Sequence, residues 1–438
     1  MDAKLREKIL SKIKPSEKSH DVALKIVSEF LNKIEKSAKN QKVKCDFFVG
    51  GSFGKNTYLK GNFDVDVFCR FDLSYKEAEL SLLLEKILTD TKLKFKKQKG
   101  SRDYFSLTFG PKEKEMFFEI IPNRNIKNLK DALNSTDVSP FHVEFVKKMS
   151  QKNPKLTDEI RLAKQYFKAK GLYGAESYIN GFSGHVIDIL ICYYGSLEML
   201  LLDAKTWGEQ KCIDISSFYN SKESVMKSIS EDKISNLIVV DPILKGRNAA
   251  RALLEDKYYK FILASQNFTL FVEKDFEIIK KTQGDVLKFA KNFSKENNLK
   301  VIIYKFDFKI SNESEDIIGS KLLKLYTRLN AYFISYDFNV FKENFFIDME
   351  EEVCIFVYYF EKVELSKIKI AHGPKVFMSS DIARFLNSRK DFFVQDLRVC
   401  LYKKREITKI EQIQKISLQD MQKLLGKDMS FVKKLTYL

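Results

Sequence analysis

The most constraining stretch of this chain runs from Gly50 to Phe71 and has the sequence GGSFGKNTYLKGNFDVDVFCRF. Its first half, with paired glycines, a serine and a lysine, predicts a tight turn that leads into a helix N-terminus. Unpaired amide groups at such a terminus favour an anion such as phosphate. In the second half, alternation places Asp64, Asp66 and Phe68 on one face of a predicted strand. Two carboxylates at this spacing lie about 7 Å apart along the strand, within reach of shared metal ions.

Each half of this stretch also has an ordinary structural explanation. Alternating Asp and Val residues are common where an antiparallel sheet faces water, and Gly-Gly-Ser is common in loops. A phosphate-binding turn followed closely by two carboxylates is much rarer, so the combination predicts a functional site. The stretch is not a nucleotide-binding P-loop, because Val49 stands where the first glycine belongs and Asn56 follows Lys55. An ATPase is therefore not favoured.

The overall composition indicates a protein of several domains with a polyanionic partner. A chain of 438 residues is too long for one core and predicts about three domains. The formal net charge of +17 indicates binding to a nucleic acid or to an acidic membrane surface. Lysine far outnumbers arginine, so part of this charge can reflect compositional bias instead of a binding surface.

Several features predict a cytoplasmic protein without a membrane segment. The N-terminus is charged from its start, unlike a signal peptide. The most apolar run, Val186 to Leu202, contains Asp188 and Glu198; it is too short to span a membrane and predicts one buried helix. The scattered cysteines form no CxxC pair, which argues against a zinc site and a disulfide framework and favours a reducing cytosol. They are Cys45, Cys69, Cys192, Cys212, Cys354 and Cys400.

The stretch from Gly50 to Phe68 resembles the GS…DxD signature of the polymerase-β-type nucleotidyltransferases. More narrowly, it resembles the archaeal-type (class I) CCA-adding enzymes, and similarity to this family extends over nearly the whole chain. The resemblance implies a tRNA lacking all or part of its 3′ CCA as partner, with CTP and ATP as substrates and Mg²⁺ as cofactor. A homodimer is compatible with it.

The fold implied by the resemblance is an α+β multidomain protein. It begins with a polymerase-β-like nucleotidyltransferase palm, a mixed sheet with helices, at residues 1–150. A helical central domain follows at residues 151–262. The rest is a C-terminal ferredoxin- or RRM-like α+β part, with an RNA-binding body at residues 263–306 and 382–438 and an RNA-binding tail at 307–381. Strands that alternate with helices and hairpins beyond residue 263 support this last assignment.

A third acidic residue, Glu119, interrupts the apolar strand MFFEIIP. A carboxylate at such a position is unfavourable unless it is paired or bound to a cation, although an edge-strand Glu facing water would also be stable. The resemblance assigns the third metal-binding carboxylate here, where the family usually has Asp. Asp64, Asp66 and Glu119 are accordingly expected to be catalytic and to bind metal.

The resemblance also supplies eight candidate nucleotide-binding residues. Lysines offer charge to phosphate, and hydroxyl groups donate directional hydrogen bonds. The expected base-selecting residue is Arg247 in VVDPILKGRNAARAL, since a guanidinium can pair with acceptors that C and A share. Ordinary explanations remain for single residues, such as a helix cap at Ser183 or a satisfied structural His142. The candidates are Ser52, Lys55, Tyr104, His142, Lys164, Tyr173, Ser183 and Arg247.

The C-terminal part carries weaker signals. HGPKVF, from His372 to Phe377, resembles a short segment of the family's RNA-holding tail, and Lys403, Lys404 and Arg405 form a basic run. Interleaved lysines and aromatic residues favour RNA contact, although a sheet core with a solvated basic face has the same composition. Two alternative functions are a poly(A) polymerase or oligoadenylate synthase, and a catalytically inactive RNA-binding protein.

Overall fold

The computed structural model describes residues 1–61, 64–309, 314–387, 389–413 and 429–437. These residues form two compact units, Met1–Ile279 and Lys280–Leu438. The α+β multidomain class is confirmed. The finer division into palm, central domain, body and tail stays a prediction.

The first unit begins with helices α1 (Ala3–Ile13) and α2 (Glu17–Asn40). They are separate because Pro15 cannot continue α1 and Ser16 caps α2, its Oγ accepting a hydrogen bond from the Ser19 amide. One face of α2 is buried and packs on the sheet that follows.

A five-stranded mixed sheet forms the centre of the first unit. Its strands are β1 (Cys45–Val49), β2 (Asp64–Phe71), β3 (Lys96–Gln98), β4 (Tyr104–Phe109) and β5 (Met116–Arg124), in the order β1-β2-β5-β4-β3. β2 and β5 run parallel, whereas the other neighbours run antiparallel. The four-residue helix α3 (Gly51–Gly54) follows β1 directly, and α4 (Leu80–Asp90) follows β2. Apolar residues of α2, α4 and one sheet face form the core, which leaves the other face for Asp64 and Asp66.

Six helices and a small two-stranded sheet complete the first unit around a second, larger core and a small third one. They are α5 (Ser139–Lys152), α6 (Leu156–Ala169), α7 (Gly184–Tyr194), α8 (Leu197–Ala204), β6 (Lys211–Ile213), α9 (Lys222–Ser228), β7 (Leu237–Val239) and α10 (Glu255–Gln266).

The prediction of one helix from Val186 to Leu202 is wrong. Gly195 adopts a left-handed conformation with φ of 78°, which ends α7, and Ser196 caps α8 by accepting a hydrogen bond from the Met199 amide. Among the described helices, none alone is long and apolar enough to cross a membrane. Together α7 and α8 meet that length and composition, but they are bent by 89° at their junction.

The second unit contains two antiparallel sheets. The larger has the order β14-β8-β10-β9 and carries apolar cores on both faces, formed with helices α11 and α12. The smaller has the order β11-β13-β12 and is joined by α13. The elements are α11 (Gln283–Glu296), β8 (Lys300–Phe308), α12 (Glu315–Ser335), β9 (Val340–Asp348), β10 (Val353–Phe360), β11 (Ile368–Lys375), α13 (Ser379–Leu386), β12 (Phe392–Gln395), β13 (Arg398–Lys404) and β14 (Met429–Tyr437).

Candidate active site

The pairing of β2 with β5 brings three acidic residues to one face of the sheet. Asp66 lies directly opposite Glu119 in the parallel register, and Asp64 is two residues before Asp66. Strand alternation therefore places all three side chains on the same face. The opposite face of β2 carries Val65 and Val67, which are wholly buried in the core.

Burial and neighbouring carboxylates raise the pKa values of Asp66 and Glu119. Burial, together with repulsion from Asp64, raises the pKa of Asp66 to about 6 even though Lys55 opposes the shift. Burial and the charges of Asp66 and Asp64 raise the pKa of Glu119 to about 7. Carboxylate oxygens are the ligands that hard divalent cations prefer, and a cation among them would remove this repulsion. The three acidic residues therefore fit a divalent metal site.

The turn after β1 packs directly against Asp66. The Gly50 amide donates a hydrogen bond of 2.7 Å to the Asp66 carbonyl oxygen. Gly51 has a φ of 56°, and a Cβ atom at this position would lie 1.6 Å from Asp66 Oδ2. Glycine is therefore required at position 51 for two reasons, the left-handed backbone and the closeness of the carboxylate. Ser52 and Lys55 follow within the same turn.

A cavity of about 370 Å³ opens beside Asp66. Four of the candidate residues line it: Lys55, Asp66, His142 and Arg247. The cavity thus joins the acidic face of the sheet to α5, α7 and the loop after β7. The full lining is Gly51, Lys55, Asp66, Phe68, Ile121, Ser135, Thr136, Ser139, His142, Val143, His185 and Arg247.

The candidate nucleotide-binding residues Lys164, Tyr173 and Ser183 lie close together in the helical part of the first unit. Lys164 is buried, and its Nζ lies 3.0 Å from Thr57 Oγ1. A Cβ atom at Gly184 would lie 3.0 Å from the Tyr173 hydroxyl and 3.9 Å from Lys164 Cε, so these three residues adjoin. Ser183 caps α7, its Oγ accepting a hydrogen bond from the Val186 amide.

Tyr104, the candidate on the sheet, begins β4 and lies beside the loop that contains Gly100.

Asp188, which was not singled out as a site residue, connects two of the candidate lysines. Its Oδ2 lies 2.8 Å from Lys55 Nζ, and its Oδ1 lies 3.4 Å from Lys164 Nζ. Burial alone would raise the pKa of Asp188, but the two lysines outweigh it and the pKa is lowered. The sequence held one signal for this role, a carboxylate inside the most apolar run of the chain.

A second buried carboxylate, Asp241, organises the far side of the cavity. His142 Nε2 lies 2.9 Å from its Oδ1, His185 Nε2 lies 3.3 Å from its Oδ2, and Arg247 donates to Oδ2 at 2.6 Å. Burial would raise the pKa of Asp241, but the hydrogen bonds from the histidines reverse the shift and lower it. Among the described residues, His142, His185 and Asp241 are close enough together to form a possible metal-ligand group.

Sequence reasoning missed the cavity residues His185, Ser135, Thr136 and Ser139. His185 stands two positions after Ser183, and Ser139 stands three before His142, so both lie close in sequence to candidate residues. Ser135 and Thr136 belong to a short 3₁₀ turn, and no local pattern distinguished them.

Arg102 shows how that turn is held. It stands in the basic run before β4, yet it is buried, and its guanidinium bonds Asp137 and the Pro122 carbonyl oxygen. Asp137 also accepts hydrogen bonds from the Arg124 and Asn134 amides. This buried pair fixes the 3₁₀ turn against the end of β5, and thereby positions Ser135 and Thr136 at the cavity.

Three family models match successive parts of the chain. A nucleotidyltransferase domain matches residues 31–133, and the second domain of tRNA nucleotidyltransferase matches residues 158–277. The C-terminal domain of the CCA-adding enzyme matches residues 300–436.

Complete CCA-adding enzymes are similar to this chain over most of its length. The CCA-adding enzyme of Methanococcus maripaludis strain C5 is 30% identical over 410 residues, which cover 92% of this chain and 88% of that relative. The chain belongs to the archaeal-type CCA-adding enzymes. The CCA-adding enzyme of Methanocaldococcus jannaschii is 29% identical, covering 92% of this chain and 88% of that relative. That of Sulfolobus acidocaldarius is 27% identical, covering 93% and 90%.

The solved structures support the fold of this CCA-adding enzyme. A cytoplasmic RNA terminal U-transferase superposes with a TM-score of 0.50 at 13% identity, covering 64% of this chain and 98% of that one. The predicted enzyme class, a nucleotidyltransferase that adds CCA to tRNA without a template, is confirmed by the family. Nucleotidyltransferase chemistry and the acidic residues of β2 and β5 together indicate a divalent metal.

Proposed function

We propose that Asp64, Asp66 and Glu119 hold two Mg²⁺ ions and that the adjoining cavity receives the incoming CTP or ATP. The observation that carries this proposal is the parallel register that sets Glu119 opposite Asp66, a residue that lines the cavity. When bound, the metal would supply positive charge that activates the 3′-hydroxyl of the RNA and neutralises the triphosphate. Glu119 would also orient or deprotonate that hydroxyl.

The covalent step follows from these positions. The 3′-oxygen of the tRNA attacks the α-phosphorus of the nucleotide, the bond from that phosphorus to the bridging oxygen breaks, and pyrophosphate leaves. Lys55, Lys164 and the Ser52 turn would bind the β- and γ-phosphates and stabilise the charge of the leaving group. His142, Tyr173 and Ser183 would complete the triphosphate and sugar contacts, and Tyr104 would contact the nucleotide from β4.

Base selection is assigned to Arg247. Its guanidinium is partly exposed at the cavity and forms an ion pair with the buried Asp241. Cytosine and adenine share a ring-nitrogen acceptor beside an amino group, whereas uracil and guanine carry N–H and C=O groups there. A fixed guanidinium can donate to the shared acceptor, which selects C and A without a nucleic-acid template.

The proposed RNA partner is a tRNA that lacks all or part of its 3′ CCA. The net charge of +17 and the exposed Lys403 and Lys404 on β13 support binding to an RNA backbone. The six unpaired cysteines support a location in the reducing cytoplasm. The homodimer stays a prediction.

The test is extension of a tRNA transcript trimmed of its last three nucleotides, with Mg²⁺ and single nucleotides. CTP alone should add two residues, CTP with ATP should add three and then stop, and EDTA should abolish both reactions. Long tails of A, or addition of A before any C, would instead indicate a poly(A) polymerase-like activity and contradict the proposal.

A further inference from the structure

His185 lies in the second position of α7 and faces the same cavity as Arg247. About a fifth of its side chain is exposed, whereas its partner Asp241 is wholly buried. The His142 ring stands beside it, with 4.3 Å between the ring centroids. His185 is therefore a cavity residue with one ring nitrogen already engaged.

The contact with Asp241 fixes which ring nitrogen of His185 carries a proton. A carboxylate can only accept hydrogen bonds, so Nε2 of His185, 3.3 Å from Asp241 Oδ2, must be the donor. Burial lowers the pKa of His185 to about 4, and the neighbouring His142 and Lys55 add to this, although Asp241 opposes it. At neutral pH the ring is uncharged, and Nδ1 carries a lone pair.

A metal ion bridging His142, His185 and Asp241 is not needed to explain this cluster. Asp241 Oδ1 already accepts the Ile243 and Leu244 amides at 2.9 and 3.0 Å, and Oδ2 accepts the Arg247 guanidinium. The carboxylate is thus saturated with donors. A cation inserted there would also lie beside a positively charged guanidinium, which is electrostatically unfavourable.

We infer that His185 is a nucleoside-binding residue, whose Nδ1 accepts a hydrogen bond from the base or ribose of the incoming nucleotide, with Asp241 as its positioning residue. This inference rests on the proposed function of the cavity. We assign the partner of Nδ1 to a hydrogen-bond donor and not to a phosphate, because an ionised phosphate has no proton to donate to a lone pair. The available donors are the amino groups of cytosine and adenine and the ribose hydroxyls.

The two donor sources lead to different selectivities. If the base amino group is the donor, His185 also disfavours uracil and guanine, which present a carbonyl oxygen at the corresponding position. If a ribose hydroxyl is the donor, His185 favours ribonucleotides over 2′- or 3′-deoxynucleotides and is indifferent to the base. In both cases Asp241 couples this contact to Arg247, since one carboxylate holds both side chains.

The test compares His185→Leu, which removes the acceptor, with His185→Asn, which keeps an acceptor near the position of Nδ1. Single-turnover kcat/KM is measured for CTP, ATP, UTP, GTP and the deoxy analogues of CTP. His185→Leu should lower kcat/KM for CTP and ATP roughly 5- to 10-fold, the value of one hydrogen bond, and His185→Asn should restore part of it. Tyr193→Leu, an exposed change on the same helix, should have no effect.

Comparison of the nucleotides and deoxy analogues shows whether the base or the ribose donates the hydrogen bond to His185. Discrimination against UTP and GTP should shrink by the same factor if the base is bound, and discrimination against one deoxy analogue should shrink if the ribose is bound. In an Asp241→Asn background, His185→Leu should have little further effect on kcat/KM, as expected if Asp241 acts by positioning His185.

Three results would overturn the inference. They are unchanged kinetics of His185→Leu, an equal loss with every nucleotide and analogue, and stoichiometric Zn²⁺ binding that His185→Leu abolishes. Asp66→Asn, assayed in parallel, distinguishes failure of the proposed function from failure of the His185 inference. An active Asp66→Asn enzyme contradicts the proposed function, whereas an inactive one leaves only the His185 inference under test.

Discussion

Lys55 Nζ lies 2.8 Å from Asp188 Oδ2, and this buried ion pair joins the turn after β1 to helix α7. Lys164 contacts the other carboxylate oxygen. Two lysines share one carboxylate, so this group of three residues is positively charged, and Lys55 carries that charge to the cavity lining. A triphosphate can neutralise that charge, because the lysines are already desolvated and held in place.

Asp188→Asn should therefore weaken nucleotide binding. Without the carboxylate the two lysines repel each other and lose their fixed position, and we expect KM for CTP to rise roughly 10-fold. Loss of one partner from a buried pair should also lower the free energy of unfolding by about 3 kcal/mol. Steady-state kinetics and urea unfolding measure the two effects. Asp256→Asn, which breaks an exposed pair with Lys260, is the control, and an unchanged KM would argue against the role of Asp188.

Asp66→Asn should abolish nucleotide addition while tRNA affinity stays near that of the native enzyme. The change removes the central carboxylate of the metal site, and we expect at least a 100-fold loss of kcat, on the order of a lost transition-state contact. Extension assays and filter binding measure the two quantities. Asp46→Asn alters a carboxylate on β1 that pairs with Arg70, and should leave addition intact. Unchanged addition by Asp66→Asn would falsify the metal assignment.

Arg247→Ala should relax base selection more than it slows the reaction. Loss of a directional donor to the base should reduce discrimination against UTP and GTP by roughly 10- to 100-fold, the range for one base contact. Competition between radiolabelled nucleotides measures the ratio. Arg251→Ala is the control. Arg251 is an exposed arginine four residues later that forms an ion pair with Asp232, and its removal should keep the native ratio of incorporated nucleotides. An effect on RNA affinity alone would contradict the assignment.

Asp137→Asn should destabilise the first unit in a pH-dependent way. It leaves the buried Arg102 without its main partner, and we expect a loss of about 3 kcal/mol at pH 7. In the folded chain Arg102 and backbone amides outweigh burial and lower the pKa of Asp137. Its stabilisation is therefore complete above the unfolded pKa of about 3.9 and is lost as the pH falls further towards the folded value.

Urea unfolding at several pH values should show the difference between Asp137→Asn and the native protein narrowing below about pH 4. Glu85→Gln, which breaks the half-exposed pair with Lys97, should change stability by less than about 1 kcal/mol. Equal losses in both variants would show that the buried network does not hold the 3₁₀ turn.

Lys403→Ala combined with Lys404→Ala should weaken tRNA binding and reduce its salt dependence. Each lysine that neutralises a phosphate contributes roughly 0.7 to 0.9 to the slope of log K against log salt. The slope should therefore become shallower by about 1 to 2. Lys33→Ala with Lys36→Ala, two exposed lysines on α2, gives a matched charge change in the other unit. Identical slopes in all three proteins would exclude β13 as an RNA contact.

The sequence predicted the acidic face of the sheet because that feature is local. Alternation along Asp64 to Phe68 determines which side chains share a face, and an acidic residue inside MFFEIIP indicates a special environment. The pairing of β2 with β5 then follows from the family. What could not be predicted from the sequence were contacts between distant segments, such as Asp188 with Lys55.

Arg102 and the run from Val186 to Leu202 show the same limit. Arg102 stands among surface lysines in the sequence, and its burial is stabilised by Asp137, 35 residues later, and Glu77, 25 residues earlier. In the apolar run, the signals that end one helix and begin another were present as Gly195 and Ser196. Continuous hydrophobicity on both sides concealed them, because periodicity cannot reveal a bend between two buried helices.

The fit between Gly51 and Asp66 also limits how this enzyme can change through evolution. Even alanine at position 51 would displace a carboxylate oxygen of the proposed metal site, so neither neighbour can vary independently of the other. We expect a variant with any larger residue at position 51 to lose nucleotide addition before it loses its fold.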